Sequence, residues 1–267
     1  MSENQHNAYI PILIAVVAVL GFVATLTQLK GAVANPLPKP FVESTTSAHG
    51  VEVSASNGAK IEIIPDTSPA SAKVPAVHRP IVNKTNVPAD ALAAITDRTH
   101  QLEALVTKND KDTNSWINLG AVREMVGDHE GALQAWQYVV AIEPGNITAT
   151  FNLAALYADQ LKQYPQAEKA YQKAIALNPH SSVGYRSLFE MYTNTSYKPT
   201  ATAAEDILKK GIAAVPEATD LHILLARYYK QFGNATSAAI EFKAAADAAT
   251  KAGQSDIAAQ IQTEAQQ

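Results

Sequence analysis

Residues 116–144, WINLGAVREMVGDHEGALQAWQYVVAIEP, decide the fold, because their spacing returns three more times along the chain. The unit reads Trp116-x2-Leu119-Gly120, then Ala132-x3-Trp136, then Pro144. It recurs as Leu153-Ala154, Ala167-x3-Tyr171 and Pro179; as Leu188-Phe189, Ala204-x3-Leu208 and Pro216; and as Leu225-Ala226 with Ala238-x3-Phe242. Leu119 to Leu153 is 34 residues, Leu153 to Leu188 is 35 and Leu188 to Leu225 is 37. The excess falls between the two halves of the unit. Arg123 to Ala132 and Tyr229 to Ala238 are each 9 apart, whereas Tyr157 to Ala167 is 10 and Tyr192 to Ala204 is 12. Surface loops accept added length cheaply, so the extra residues are expected in turns, at Gln163-Tyr164-Pro165 and at Thr195–Pro199.

Each recurring position has a packing reason. Small residues at Ala132, Ala167, Ala204 and Ala238 let one helix approach another closely, and the aromatic residue or Leu one turn later fills the groove beside it. Each Pro ends a helix, since it lacks an N–H and disfavours helical geometry at the residue before it.

This spacing resembles the tetratricopeptide repeat (TPR), a helix-turn-helix whose apolar faces are completed only by stacking on neighbours. The chain resembles a membrane-anchored bacterial-type TPR protein, all-α in class. Four units are expected at 113–146, 147–181, 182–218 and 219–252. The resemblance implies a right-handed arc with the first helix of each pair on the concave side.

Composition narrows the function classes. The chain has 267 residues, 47% of them apolar, a net charge of −4 and no cysteine, which excludes disulfides and thiolate chemistry. Across 113–253 there are 12 Lys/Arg against 13 Asp/Glu with no run of either sign, so no nucleic-acid partner is indicated.

The N-terminal 1–30 read as a tail and transmembrane anchor. Ala8 to Leu26 carries no charge, and Ile10–Leu29 is 20 residues, which as a helix spans about 30 Å, the thickness of a bilayer core. A cleaved signal peptide is the rival reading. Ala32-Val33-Ala34 supplies a cleavage-type site, but the leading segment lacks positive charge and the apolar run is long. A short tail before a long soluble domain favours an outward-facing repeat domain, whereas Lys30 and Lys39 favour the opposite.

Residues 31–87, rich in Pro, Ser and Thr, read as a stalk that cannot bury enough apolar surface to offset its ordering entropy. Within it, 51–64 alternates about Ser56-Asn57-Gly58 as a hairpin would, and a disordered stretch is the alternative. From Pro88 an amphipathic pattern of Ala91, Leu92, Ile95, Leu102, Leu105 and Val106 predicts a capping helix over 88–112. A second capping helix is expected over 253–267, where Gly253 stops the last repeat helix and Ser255 can cap the next.

Site chemistry is sparse. Seven histidines are scattered without ligand-like spacing, and no phosphate-cradling or nucleophile-elbow motif occurs. No catalytic residue, cofactor, metal or small-molecule substrate is indicated, and the chain does not read as an enzyme. The concave face is where function is expected. Asn118 and Asn152 lie 34 residues apart at equivalent places, and in some members of the family such an asparagine ladder holds the backbone of an extended peptide. The plainer alternative is that both merely solvate a helix face. Neighbouring inward candidates are Ile117, Met125, Phe151, Arg186, Glu190 and Arg227, with Ala155 and Ile223 beside them. The Lys/Arg clamp of the chaperone-binding branch is absent, its places being held by Ile117, Ala121, Val183 and Ser187. The reading is a membrane-tethered scaffold for a protein or extended peptide. The alternatives are an envelope assembly factor similar to the TPR proteins of cytochrome c maturation, or an accessory subunit regulating an enzyme encoded elsewhere.

Overall fold

The computed structural model describes residues 72–266. The expected anchor at 1–30 and hairpin at 51–64 lie outside the described residues. Those described fall into two units, one holding Pro88–Ile95 and the other holding 72–87 with 96–266. Among them are ten α-helices and no strand, and no helix is long and apolar enough to cross a membrane.

Helix α1 is Ala89–Lys108, its first turn closed by Leu92 N donating to Pro88 O at 2.8 Å. Its buried face is Ile95, Thr99, Leu102, Glu103 and Val106, whereas Leu105, expected on the apolar stripe, is 45% exposed. Then come α2 (Thr113–Met125) with α3 (His129–Ile142), and α4 (Ile147–Ala155) with α5 (Tyr164–Leu177). They are followed by α6 (Ser182–Asn194) with α7 (Ala203–Ala214), α8 (Thr219–Gln231) with α9 (Ala235–Lys251), and α10 (Ser255–Ala265). From α2 onward each helix packs on the next in sequence.

Side-chain caps start several helices. Asp112, Asp128, Asn146 and Asn234 accept from the backbone N–H groups of Ser115, Gly131, Ala149 and Ser237, satisfying donors that a helix end leaves free. The second helices stop two residues before Pro144, Pro179 and Pro216. Ala132, Ala167 and Ala238 are buried, as are Trp136, Tyr171, Leu208 and Phe242 one turn later, while Ala204 is only half-buried.

The extra residue of the second pair is not in the turn. After α4 the backbone passes through a π-turn, Leu156–Gln160, where Leu161 N donates to Leu156 O at 3.0 Å. This wider loop absorbs one residue inside the helix. The turns themselves match: Gly127 at φ +79° and Lys162 at φ +55° each stand one residue before the N-cap of the next helix. The third pair does lengthen its turn, across 195–202. Tyr197 anchors that loop by donating to Glu168 Oε2 at 2.5 Å, beside Tyr192 donating to Oε1 at 2.6 Å, and its ring stacks on Tyr164 at 5.9 Å. Burial, together with the hydrogen bond to the Glu168 carboxylate, pushes the Tyr197 phenol up to about 12.

The stalk expectation also needs correction at its end. Residues 72–87 form neither helix nor strand, but they are strapped onto the α2–α3 corner and α1. Arg79 forks onto Asp128, Nε to Oδ2 at 2.8 Å and Nη2 to Oδ1 at 2.9 Å. Lys84 N donates to Val126 O at 2.9 Å, and Thr85 Oγ1 to Met125 O at 2.6 Å. Arg123 Nη2 donates to Val77 O and faces Glu103 Oε1 at 3.6 Å, both residues being buried. Burial alone would raise the Asp128 carboxyl, but the hydrogen bonds from Arg79 and Gly131 N–H and the charges of Arg79 and Arg123 outweigh it and hold it below its usual range. The partners that hold it lie far away in sequence, Arg79 and Asp128 being 49 residues apart.

Candidate peptide-binding face

The expected site residues all lie on the first helices of the pairs. Ile117, Asn118 and Met125 are on α2, Phe151 and Asn152 on α4, Arg186 and Glu190 on α6, and Arg227 on α8. Asn118 is exposed and Asn152 half-buried, and neither amide makes a hydrogen bond among the described residues. Ile117, Met125 and Phe151 are half-buried, and the Phe151 ring meets Tyr171 of α5 edge-on at 5.5 Å.

The two arginines are already engaged. Arg186 Nη1 pairs with Asp220 Oδ2 at 3.2 Å, an oxygen that also accepts from Ser182 Oγ at 3.0 Å, so α6 is tied to α8. Arg227 forks onto Glu264 at 2.6 and 2.8 Å, tying α8 to α10. Arg186 thus fixes one first helix against the next, and Arg227 fixes the last first helix against the C-terminal helix.

The charge of Asp159 acts on both Glu124 and Glu190, and of these three carboxylates only Glu190 was anticipated. Counting 35 residues from Glu124 of α2, the offset that holds after the π-turn, gives Asp159; counting 34 gives Ala158. The π-turn thus places a carboxylate where a regular helix would place a methyl group. All three sit above the ordinary range. Burial is the main cause for Glu124, to which the charge of Asp159 adds, against His129 and a hydrogen bond from Gln160. Burial likewise raises Glu190, opposed by Arg186 and reinforced by Asp159. Asp159 is exposed as a residue, yet protein crowds its carboxyl, and this loss of hydration raises it against the pull of Lys162. A one-residue slip in the repeat hid Asp159 from spacing arguments, and testing both offsets would have found it.

No group of His, Cys, Asp and Glu suited to a metal occurs among the described residues. Buried His222 has both ring nitrogens engaged, by Glu241 at 2.6 Å and Pro216 O at 3.1 Å.

No family model matches the chain, and no curated protein does. Solved structures with which it aligns include a crystal structure of MamA, at 18% identity over 62% of this chain and 96% of that one, TM-score 0.49. Another is YrrB, a TPR protein with an unusual peptide-binding site, at 16% identity over 61% and 90%, TM-score 0.43. A third is TTC0263, a thermophilic TPR protein of Thermus thermophilus, at 19% identity over 65% and 93%, TM-score 0.42.

Proposed function

We propose that this chain is a scaffold of four TPR-type units that binds an extended peptide or protein segment along its row of first helices, tethered to a membrane through residues 1–30. The observation that carries the reading is the pair of unbonded amides, Asn118 and Asn152, at equivalent places on α2 and α4. Each amide offers a donor and an acceptor, which matches a peptide unit without reading its side chain. The helix-to-helix bridges of Arg186 and Arg227 support it, since a pre-set row loses less freedom on binding.

Asn118→Ala with Asn152→Ala is expected to weaken a partner captured by the full-length chain by roughly 1–3 kcal/mol, about 5-fold to 150-fold, from two hydrogen bonds of about 0.5–1.5 kcal/mol each. Helicity and melting should stay close to the parent, because neither side chain supports the fold. Calorimetry returning the parental affinity would move the site off this face.

The tether has its own test. Full-length protein is expected to remain with membranes through carbonate extraction, and residues 31–267 to be released. A mature N-terminus at Asn35 would instead establish a cleaved signal peptide.

A further inference from the structure

Residues 72–87 contribute no fully buried side chain; every one of them is half-buried or exposed. Polar contacts hold them instead, and those contacts read a backbone and one guanidinium. Val77 O accepts from Arg123 Nη2, Lys84 N donates to Val126 O at 2.9 Å, and Thr85 Oγ1 donates to Met125 O at 2.6 Å. The last two acceptors are carbonyls at the end of α2, where a helix leaves such groups free. The guanidinium is that of Arg79, forked onto Asp128 at 2.8 and 2.9 Å with Gln134 Oε1 at 3.5 Å beside it. Proteins hold extended peptides by contacts of this kind, whereas a core element is held by buried apolar side chains.

The seat under the strap is incompletely filled. A groove of about 750 Å³ opens between His78 and Pro80 of the strap and Ala104, Thr107 and Lys108 of α1. Beneath the strap, buried Arg123 and Glu103 face each other at 3.6 Å, and one atom of each, Nη1 and Oε1, is buried without a hydrogen-bond partner among the described residues. His78 Nδ1 donates to the other Glu103 oxygen, Oε2, at 3.0 Å, but the His78 side chain is 76% exposed. A segment with few buried apolar contacts and exposed hydrogen bonds opens at lower cost than the fold as a whole.

We propose that the α2–α3 corner is a docking site for an extended, arginine-bearing segment of a partner protein, filled in the free chain by residues 72–87. Asp128 and Gln134 take the partner's guanidinium, while the Val126 carbonyl and Arg123 take its backbone. The strap is then a competing ligand carried by the chain itself. Tethered beside the corner, it acts at an effective concentration on the order of millimolar, which sets the threshold a partner has to exceed. The corner uses neither Asn118 nor Asn152, so it goes beyond the reading of the first-helix row.

The test uses the full-length chain, with a fluorescent synthetic peptide of residues 72–87 as the probe. The parent is expected to bind it weakly, because its own strap occupies the corner. Arg79→Ala in the chain removes the fork from the competitor alone, so the peptide, which keeps its arginine, should bind about 10-fold tighter or more, the worth of one charged hydrogen bond. Adding Asp128→Asn, which preserves the helix cap, should cancel that gain, and a peptide whose arginine is replaced by alanine should show none. A merely structural ion pair would not give opposite effects from its two halves. Melting of each variant checks that the helices persist. Trypsin should cut after Lys84 in the parent before the helices unfold, and faster in Arg79→Ala. Equal peptide affinity in the parent and Arg79→Ala, or a gain that survives Asp128→Asn, overturns the docking site. Loss of peptide binding in Asn118→Ala with Asn152→Ala would put the probe on the first-helix row and overturn it as well, and protection of Lys84 until global unfolding overturns the opening strap. A parental dimer in size-exclusion chromatography that Asp128→Asn abolishes would make a second copy of this chain the occupant and overturn the partner segment.

Discussion

Arg123→Met is expected to destabilise the repeat domain by about 3–5 kcal/mol, the cost of breaking a buried ion pair from one side. Arg123 is 3% exposed and Glu103 5%, so removing the guanidinium leaves a carboxylate enclosed at the α1–α2 contact with only the exposed His78, at 3.0 Å, beside it. The same change deletes the donor to Val77 O and loosens the strap, which then rests on Arg79–Asp128 and the two bonds near Val126. Urea unfolding measures the first effect, and proteolysis within 72–87 the second. The companion variant Arg123→Met with Glu103→Leu should recover most of the loss, because an apolar pair of similar volume replaces a buried ionic one at little net cost. A loss below about 1 kcal/mol in the single variant would show that the pair bears little on stability.

Trp136→Ala should cost a comparable amount, about 3–5 kcal/mol, through the cavity it leaves. The indole is 5% exposed, packs with Ala132, Leu153 and Leu156, and donates from Nε1 to Ile117 O at 3.0 Å. It lies across Gly120, where an added β-carbon would stand 2.4 Å from Nε1, so the Leu-Gly step of the repeat is a steric demand of this ring. Gly120→Ala should therefore destabilise the parent, by about 1–3 kcal/mol of overpacking, and do far less harm when combined with Trp136→Ala. Additive losses in that cycle would mean that Gly120 serves some other purpose.

Spacing made the paired helices readable because every contact that builds them is local. Ala132-x3-Trp136 and its three recurrences describe one helix face meeting its neighbour, so period identifies buried residues at every one of these positions except Ala204. The candidate face was legible to the same extent. Asn118 and Asn152 are 34 residues apart on regular helix and keep equivalent places, whereas Glu124 and Asp159 are equivalent only across a π-turn that no residue type announces. The strap was misread for a related reason. Its composition offers little apolar surface to bury, but its order comes from Arg123, Glu103, Asp128 and the Val126 carbonyl, none of which lies within it.

By itself, then, the sequence determined the helix pairs and their order, since periodicity is a property of neighbours along the chain. Only tertiary structure decided that 72–87 is held against the first pair, that Arg186 ties α6 to α8, and that Arg227 ties α8 to α10. Burial and charge act through space, where residues 35 apart become neighbours and a single inserted residue changes which side chain arrives.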